Sequence, residues 1–488
     1  MALTKEQEAV VNADFKDILI INAYAGTGKT STLIKFCEAR KDKKILYLSY
    51  NSSMRKEAEE KFKHLKNVEV KTMHSLAYVE MKVNEKFKDR LGSLRAMDML
   101  PLLEEIKKEL KNIYATYILR LVRIYCNTGK DMNTFLSDFS QNPSEYDINP
   151  KANIKYICSK VHDFWKKIDT SSFSYEHDFY LKKYQETKKK LDYDYILVDE
   201  AQDINACVID IVLNQKHSKK VFIGDTYQSI YKFRGAVNSL DILSKEKDVV
   251  ILYLTRSFRC PESISKVANL YLKALKAPRD FIGISKTKKD KLKQKAIVCR
   301  TNALLFNIAI ENLDKKLFLV GGIDSYNFDD LLDIQNLLFK KHEYIKSPFL
   351  KKFDEIKDLI SYIDETNEIE FKQKVFTVFK YANQNILNLI KNIQKSCVNK
   401  QEKADLILST AHKSKGLEWD NVELMSDFFN LKVELEKIEA FMKLQVPKEE
   451  LNLLYVAITR AKNSLNIDEE YLLDEDFLEE NRERIVLI

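Results

Sequence analysis

The stretch IINAYAGTGKTSTL, residues 20–33, decides how the rest of the chain is read. Apolar residues run into a loop with Gly26 and Gly28, then Lys29 and Thr30, then residues fit to open a helix. Two readings are open. One is an ordinary strand-to-helix turn. The other is a phosphate cradle, in which the glycines free backbone N–H groups to face phosphate oxygens and the helix adds its positive end. Lys29 would then reach the outer phosphates, and the Thr30 hydroxyl would hold Mg2+. The usual pattern has glycine where this chain has Ala23. The candidate cradle is Ala25, Gly26, Thr27, Gly28, Lys29, Thr30 and Ser31.

The composition bounds the classes. A chain of 488 residues has room for about two to four domains. With 45% hydrophobic and 31% charged residues it is a folded globular chain, which excludes the disordered class. A net charge of +7 suits a polyanionic partner and equally a lysine-rich background. The seven cysteines, at 37, 126, 158, 207, 260, 299 and 397, form no C-x-x-C pair. They predict neither a zinc site nor a disulfide framework, and read as reduced thiols of an intracellular protein. The start MALTKEQEAVV has no signal pattern, and no apolar run reaches membrane-spanning length. No membrane partner is expected.

Six short apolar bursts, DILIINA, KILYLSY, NVEVKTM, YDYILVDE, KVFIGD and VVILYLT, alternate with turns and helical patterns. That alternation predicts an α/β unit with a parallel sheet. Between Tyr78 and about Leu191 the sequence turns long, charged and helical, as an insertion would. A second α/β set follows in KAIVCRTN, KLFLVGG, DLILSTA and NSLNI, interrupted by helical sequence from about Ser325 to Lys400. The expected architecture is two α/β units, each with a helical insertion, and a cleft between two such units is a natural ligand site.

A phosphate loop acts with an acid at the end of a neighbouring strand. YDYILVDEAQD supplies Asp199, able to hold Mg2+, and Glu200, able to polarise an attacking water. In KVFIGDTYQSIYKFRGA, Gln228, Tyr231, Phe233 and Arg234 crowd into seven residues. Aromatics beside a basic residue are either core or a platform for stacking unpaired bases.

In order along the chain, these stretches resemble the motifs of the UvrD/Rep-like superfamily 1 helicases. LTKEQEAV resembles the adenine-reading motif, with Gln7 as its reader. AYAGTGKT, YLSYNSSM, TMHSLAY, VDEAQD and GDTYQSIYKFRGA resemble motifs I, Ia, Ib, II and III. LTRSFRCP, STAHKSKGLEWDNV and EELNLLYVAITRAK resemble motifs IV, V and VI. Within the family the wording is most similar to the F-box DNA helicase branch, as in EHDFYLKKY, YKFRGAVN, RSFRCP, LVGGIDSY and LNLLYVA. Two departures stand out. Only six residues precede Gln7, so no F-box and no F-box-mediated ubiquitin ligase is expected. The second insertion is short for the family.

The resemblance implies two RecA-like P-loop motor domains. Domain 1A is expected at 1–77 and 191–257, with helical insertion 1B at 78–190. Domain 2A is expected at 258–324 and 401–488, with a small helical insertion 2B at 325–400. It implies an ATP- and Mg2+-dependent motor moving 3′ to 5′ on single-stranded DNA or opening 3′-tailed duplexes in repair, recombination or replication. Lys29, Glu200, Gln228, Arg259 and Arg460 would be catalytic. Arginines suit charge stabilisation because they fork and stay ionised. Phe258 would stack on adenine and Glu418 would touch the ribose. Tyr50, Asn51, His74, Tyr231, Phe233, Arg234 and His412 would meet DNA; the two histidines read otherwise as polar residues satisfied beside a strand. Other readings are a translocase that strips bound proteins, recombinases among them, and a motor or switch subunit of a larger complex. About 26 residues follow Lys462, so a fused nuclease is not expected, though a separate nuclease partner is compatible. The expected location is intracellular: cytoplasmic in a prokaryote, nuclear or a viral factory in a eukaryote or virus.

Overall fold

The computed structural model describes residues 2–231, 238–286, 294–366 and 369–488. The chain divides into two compact units: Met1–Ala23 with Gly28–Leu254, and Tyr24–Thr27 with Thr255–Ile488.

The first unit is built on a six-stranded sheet. Its strands are β1 (Ile18–Ala23), β2 (Ile45–Ser49), β3 (Val68–Thr72), β4 (Tyr195–Val198), β5 (Lys219–Gly224) and β6 (Val249–Leu254). Their order is β3-β2-β4-β5-β1-β6, and every neighbouring pair is parallel. Each strand is one of the six apolar bursts. Most are apolar at successive positions because a parallel sheet is covered on both faces. In β1, Ile18 and Ile20 enter one core with Leu46, Leu48, Ile196 and Val198, while Leu19 and Ile21 enter the opposite core with Phe36, Tyr47 and Leu197. The first of these cores continues into the helices Lys108–Asn127, Ile154–Lys167 and His177–Glu186 through Tyr125, Trp165 and Phe179. Trp165 is buried there, and its indole N–H donates to Glu186 Oε1 at 2.8 Å.

The second unit carries a short parallel pair, β7 (Arg256–Ser257) with β8 (Ile282–Gly283), and a five-stranded parallel sheet. That sheet contains β9 (Lys295–Cys299), β10 (Leu317–Leu319), β11 (Leu406–Thr410), β12 (Trp419–Leu424) and, past the short β13 (Leu444–Val446), β14 (Ala461–Asn466). The order is β10-β11-β9-β12-β14. The apolar runs of the sequence account for β9, β10, β11 and β14. They miss β12, whose sequence WDNVEL is polar at three of six positions and only partly buried. Helices Asp329–Leu338, Ile356–Thr366, Ile369–Lys380 and Ile386–Ser396 lie between β10 and β11, and residues of this stretch such as Leu331, Ile334, Leu359 and Ile390 share a core with Leu317 and Leu406. Among the described residues no helix is long and apolar enough to cross a membrane.

Candidate nucleotide site and nucleic-acid surface

The loops that matter leave the carboxyl ends of the strands, where ligands bind in open α/β sheets. After β1 the chain turns through Gly26 at φ +69° and Gly28 at φ +80°, both left-handed, then opens helix Lys29–Glu38. Gly28 is the N-cap and makes no side-chain cap, so the first-turn N–H groups are left for another acceptor. Lys29 Nζ lies 3.1 Å from Glu200 Oε1. Burial works against its charge, but the carboxylates of Glu200, Asp199 and Asp225 outweigh that and hold the ammonium above its ordinary pKa.

Asp199 follows β4 and is buried. The Tyr47 hydroxyl, from the neighbouring strand β2, donates to its Oδ2. Burial, then the charge of Glu200, pushes the Asp199 carboxyl up, against the opposing pull of Lys29 and Tyr47. Glu200 sits at φ +48°, a left-handed conformation that costs a non-glycine residue energy and clusters at functional sites. Gln202 ties the turn together: its Nε2 donates to Glu200 Oε2 at 2.6 Å, and its Oε1 accepts from Asp225 N at 3.0 Å. Asp225 in turn accepts from Gln228 Nε2 at 2.9 Å. The first unit therefore joins Lys29, Asp199, Glu200 and Gln228 in one network. Thr30 and Ser31 stand in the first turn of the same helix. A hydroxyl and a buried carboxylate are hard oxygen donors of the kind Mg2+ takes, and the crowding of Asp199 against Glu200 is what a cation would relieve.

In the second unit, which includes Tyr24–Thr27, the loop meets the stretch RSFRCP. Phe258 N donates to Gly26 O at 2.9 Å, and a Cβ on Gly26 would run into the Arg259 side chain. Ala25 N donates to the Tyr455 hydroxyl at 3.2 Å, and Thr27 Oγ1 to Tyr24 O at 2.8 Å. The Phe258 ring is 39% exposed, so it has a face to offer. Arg259 Nε donates to Glu418 Oε2 at 2.7 Å. Arg460 is buried, with its guanidinium donating to Val456 O, Leu417 O and Thr459 Oγ1 at 2.8–3.0 Å.

The remaining candidates fall as follows. Gln7 is buried in the capping box of helix Lys5–Val11, where its Oε1 accepts from Thr4 N at 3.0 Å. The rings of Tyr50 and Tyr231 are parallel to within 8°, with centroids 6.5 Å apart. Asn51 caps helix Ser52–Phe62 by accepting from Met54 N. His74 Nε2 lies 3.2 Å from Asp178 Oδ1. His412 is half-buried in the short helix Ala411–Ser414. Phe233 and Arg234 lie outside the described residues. The sequence reading assigned no role to Tyr47, Gln202 and Asp225, which position the acids; Gln202 and Asp225 stand inside the quoted stretches VDEAQD and GDTYQSIYKFRGA, and Tyr47 in KILYLSY.

Sheet and loop together define a parallel α/β protein with a glycine-rich strand-to-helix loop facing strand-borne acids. Comparison with known proteins sharpens this. Residues 3–250 match the UvrD/REP helicase N-terminal domain, and residues 151–469 the UvrD-like helicase C-terminal domain. The chain belongs to the UvrD/Rep helicase family. It is similar to F-box DNA helicase 1 of Gallus gallus, at 30% identity over 95% of this chain and 48% of that protein. It is also similar to F-box DNA helicase protein 1 of Schizosaccharomyces pombe, at 29% over 96% of this chain and 57% of that protein. ATP-dependent DNA helicase PcrA of Bacillus subtilis is 26% identical over 55% of this chain and 39% of its own length. The chain thus spans about half the length of the first two relatives.

Proposed function

We propose that the chain is an ATP-dependent motor that moves 3′ to 5′ along single-stranded DNA and opens 3′-tailed duplexes. The observation that carries this reading is the 3.1 Å pair between Lys29, at the end of the glycine loop, and Glu200, beside Asp199. In a phosphoryl-transfer site these are the parts that neutralise phosphate charge, orient water and hold a divalent ion. Lys29 binds the outer phosphates. Thr30 and Asp199 would hold Mg2+, which when bound neutralises charge on the phosphate oxygens. Glu200 orients the attacking water. Gln228, tied to that turn through Asp225, reports the state of the phosphates. Arg259, packed on Gly26, and Arg460 supply positive charge; Phe258 stacks on adenine, Glu418 meets the ribose and Gln7 reads the adenine edge. The sheets of the two units are then the RecA-like domains 1A and 2A, and their helical stretches 1B and 2B. The parallel rings of Tyr50 and Tyr231 support base stacking, with Asn51, His74, Phe233, Arg234 and His412 as further DNA contacts. The relatives named as DNA helicases support DNA as the track.

The test is strand displacement on duplexes with a 3′ or a 5′ single-stranded tail, with ATP turnover followed in parallel. The expected result is opening of the 3′-tailed duplex and turnover that rises strongly with single-stranded DNA. Preferential opening of the 5′-tailed duplex refutes the polarity, and equal turnover with and without DNA refutes the coupling.

A further inference from the structure

Helix Lys5–Val11, which carries Gln7, is too short to hold its place alone, since a free helix of this length does not persist in water. Of its residues only Gln7 and Val10 are buried, so apolar packing fixes little of it. Its first turn carries Glu6 and Glu8, which suit the positive end of a helix, but its last turn carries no basic residue for the negative end. Among the carbonyls left over there, Glu8 O accepts from Asn12 N at 3.0 Å and Val10 O from Ala13 N at 3.2 Å. Val11 O and Ala13 O are met from outside the helix, both by one residue.

That residue is Arg40. It stands just past Ala39, the C-cap of helix Lys29–Glu38, which opens on the glycine loop. Its Nη1 donates to Val11 O at 2.9 Å and its Nη2 to Ala13 O at 2.9 Å, while Nη1 also donates to Phe36 O at 3.1 Å. The guanidinium lies 3.6 Å from the Phe36 ring centroid and 5.6 Å from that of Tyr195 on β4, and these two rings meet edge-on. Ring stacking thus aims the fork at the carbonyls. Arg40 supplies the cation that the first helix lacks and ties that helix to the one that bears Lys29. Gln7 stands about one turn before this joint. At the other end Gln7 and Thr4 exchange hydrogen bonds, so the segment is closed at both ends.

We propose that Arg40 is a positioning residue for the nucleotide base. By joining the end of the first helix to the phosphate-loop helix, it sets the reach from Gln7 to Lys29, so that base and phosphates are gripped in register. Shifts of about 1 Å in such a grip are felt strongly. Adenine selectivity then depends on a residue about 16 Å along the helix from Lys29. The inference rests on the reading of Gln7 as the adenine contact and adds what holds Gln7 in place.

Equilibrium binding of non-hydrolysable ATP and GTP analogues with Mg2+, and of inorganic tripolyphosphate, to the full chain tests it. The wild type should prefer the ATP analogue by about five-fold or more, the value of one hydrogen-bonded edge, and Gln7→Ala should abolish that preference. Arg40→Gln should bring the ratio towards one while tripolyphosphate, which has no base, binds nearly as in the wild type. Arg40→Lys keeps the charge but loses the planar fork, and should fail in the same way. Adding Gln7→Ala to Arg40→Gln should cost nothing further, because both changes remove the same contact. A merely structural role would weaken all three ligands together and leave the ratio alone. An undiminished ATP preference in both Arg40 variants, or a parallel loss of all three ligands, overturns the proposal. No preference in the wild type, or an unchanged one in Gln7→Ala, overturns the reading of Gln7 and this inference with it.

Discussion

Lys29 and Glu200 neutralise each other across 3.1 Å, yet they should fail differently when changed. On the proposed assignment Lys29→Ala would delete a phosphate contact, so both nucleotide affinity and turnover should drop, turnover by about 100-fold or more. Glu200→Gln keeps the shape of the turn and the Asp199 carboxylate, so nucleotide should stay bound and unhydrolysed. Affinity titration of both variants, with turnover, separates the roles; near-normal turnover in Glu200→Gln would remove Glu200 from the chemistry. Lys413 offers a pH test of another kind. Its ammonium lies over the Tyr326 ring and donates to Ser325 O and Oγ at 2.6 Å, and burial pushes its pKa down to about 8 from 10.5. Between those values the unfolded chain keeps a proton that the folded chain has shed. Stability should therefore rise with pH through that window on account of this group. Urea midpoints of wild type and Lys413→Met, compared from pH 8 to 10.5, should show the wild type gaining on the variant; a constant difference sinks the assignment.

At the scale of elements, the end of β5 tolerates no side-chain volume beside the acids. A Cβ on Gly224 would run into Gln202 Oε1 and come within 3.0 Å of Ala201 N, a backbone atom that cannot swing aside. Gly224→Ala should cost about 1–3 kcal/mol in denaturant unfolding and also lower turnover, since Gln202 braces Glu200. Unchanged turnover in a folded Gly224→Ala protein would mean that the brace is dispensable. The same elements show what a one-dimensional reading can reach. Most of strands β1 to β6 were legible because burial on both faces writes an apolar run into them; β3, VEVKT, stands at the sheet edge and is mostly half-buried. Lys29, Asp199 and Glu200 were legible because the chemistry fixes their spacing from the strand ends. Strand β12 was not, because WDNVEL buries half its positions and carries polar residues on the rest. Tyr47 was not, because its link to Asp199 depends on β2 lying beside β4 with Tyr47 opposite Leu197, a pairing that no local pattern encodes. Arg259 was legible as a residue, but its approach to Gly26 needed the fold.

For the whole molecule, nucleotide should register as stability. A ligand that binds the folded chain alone, at about 100 times its Kd, adds about 2.7 kcal/mol. A non-hydrolysable ATP analogue with Mg2+ should raise the unfolding midpoint of the wild type and leave Lys29→Ala unmoved; an equal rise in both would refute the cradle. The strand order carries a different consequence, for synthesis. β1 lies between β5 and β6, so this strand leaves the ribosome long before both its neighbours, which stand at residues 219–254. At ~5–20 residues per second, β1 waits on the order of 10–40 s before either edge can be paired. Throughout that interval ILIINA is an apolar segment with two open edges. Nascent chains halted before β5 should therefore hold a chaperone, and chains released after β6 should not.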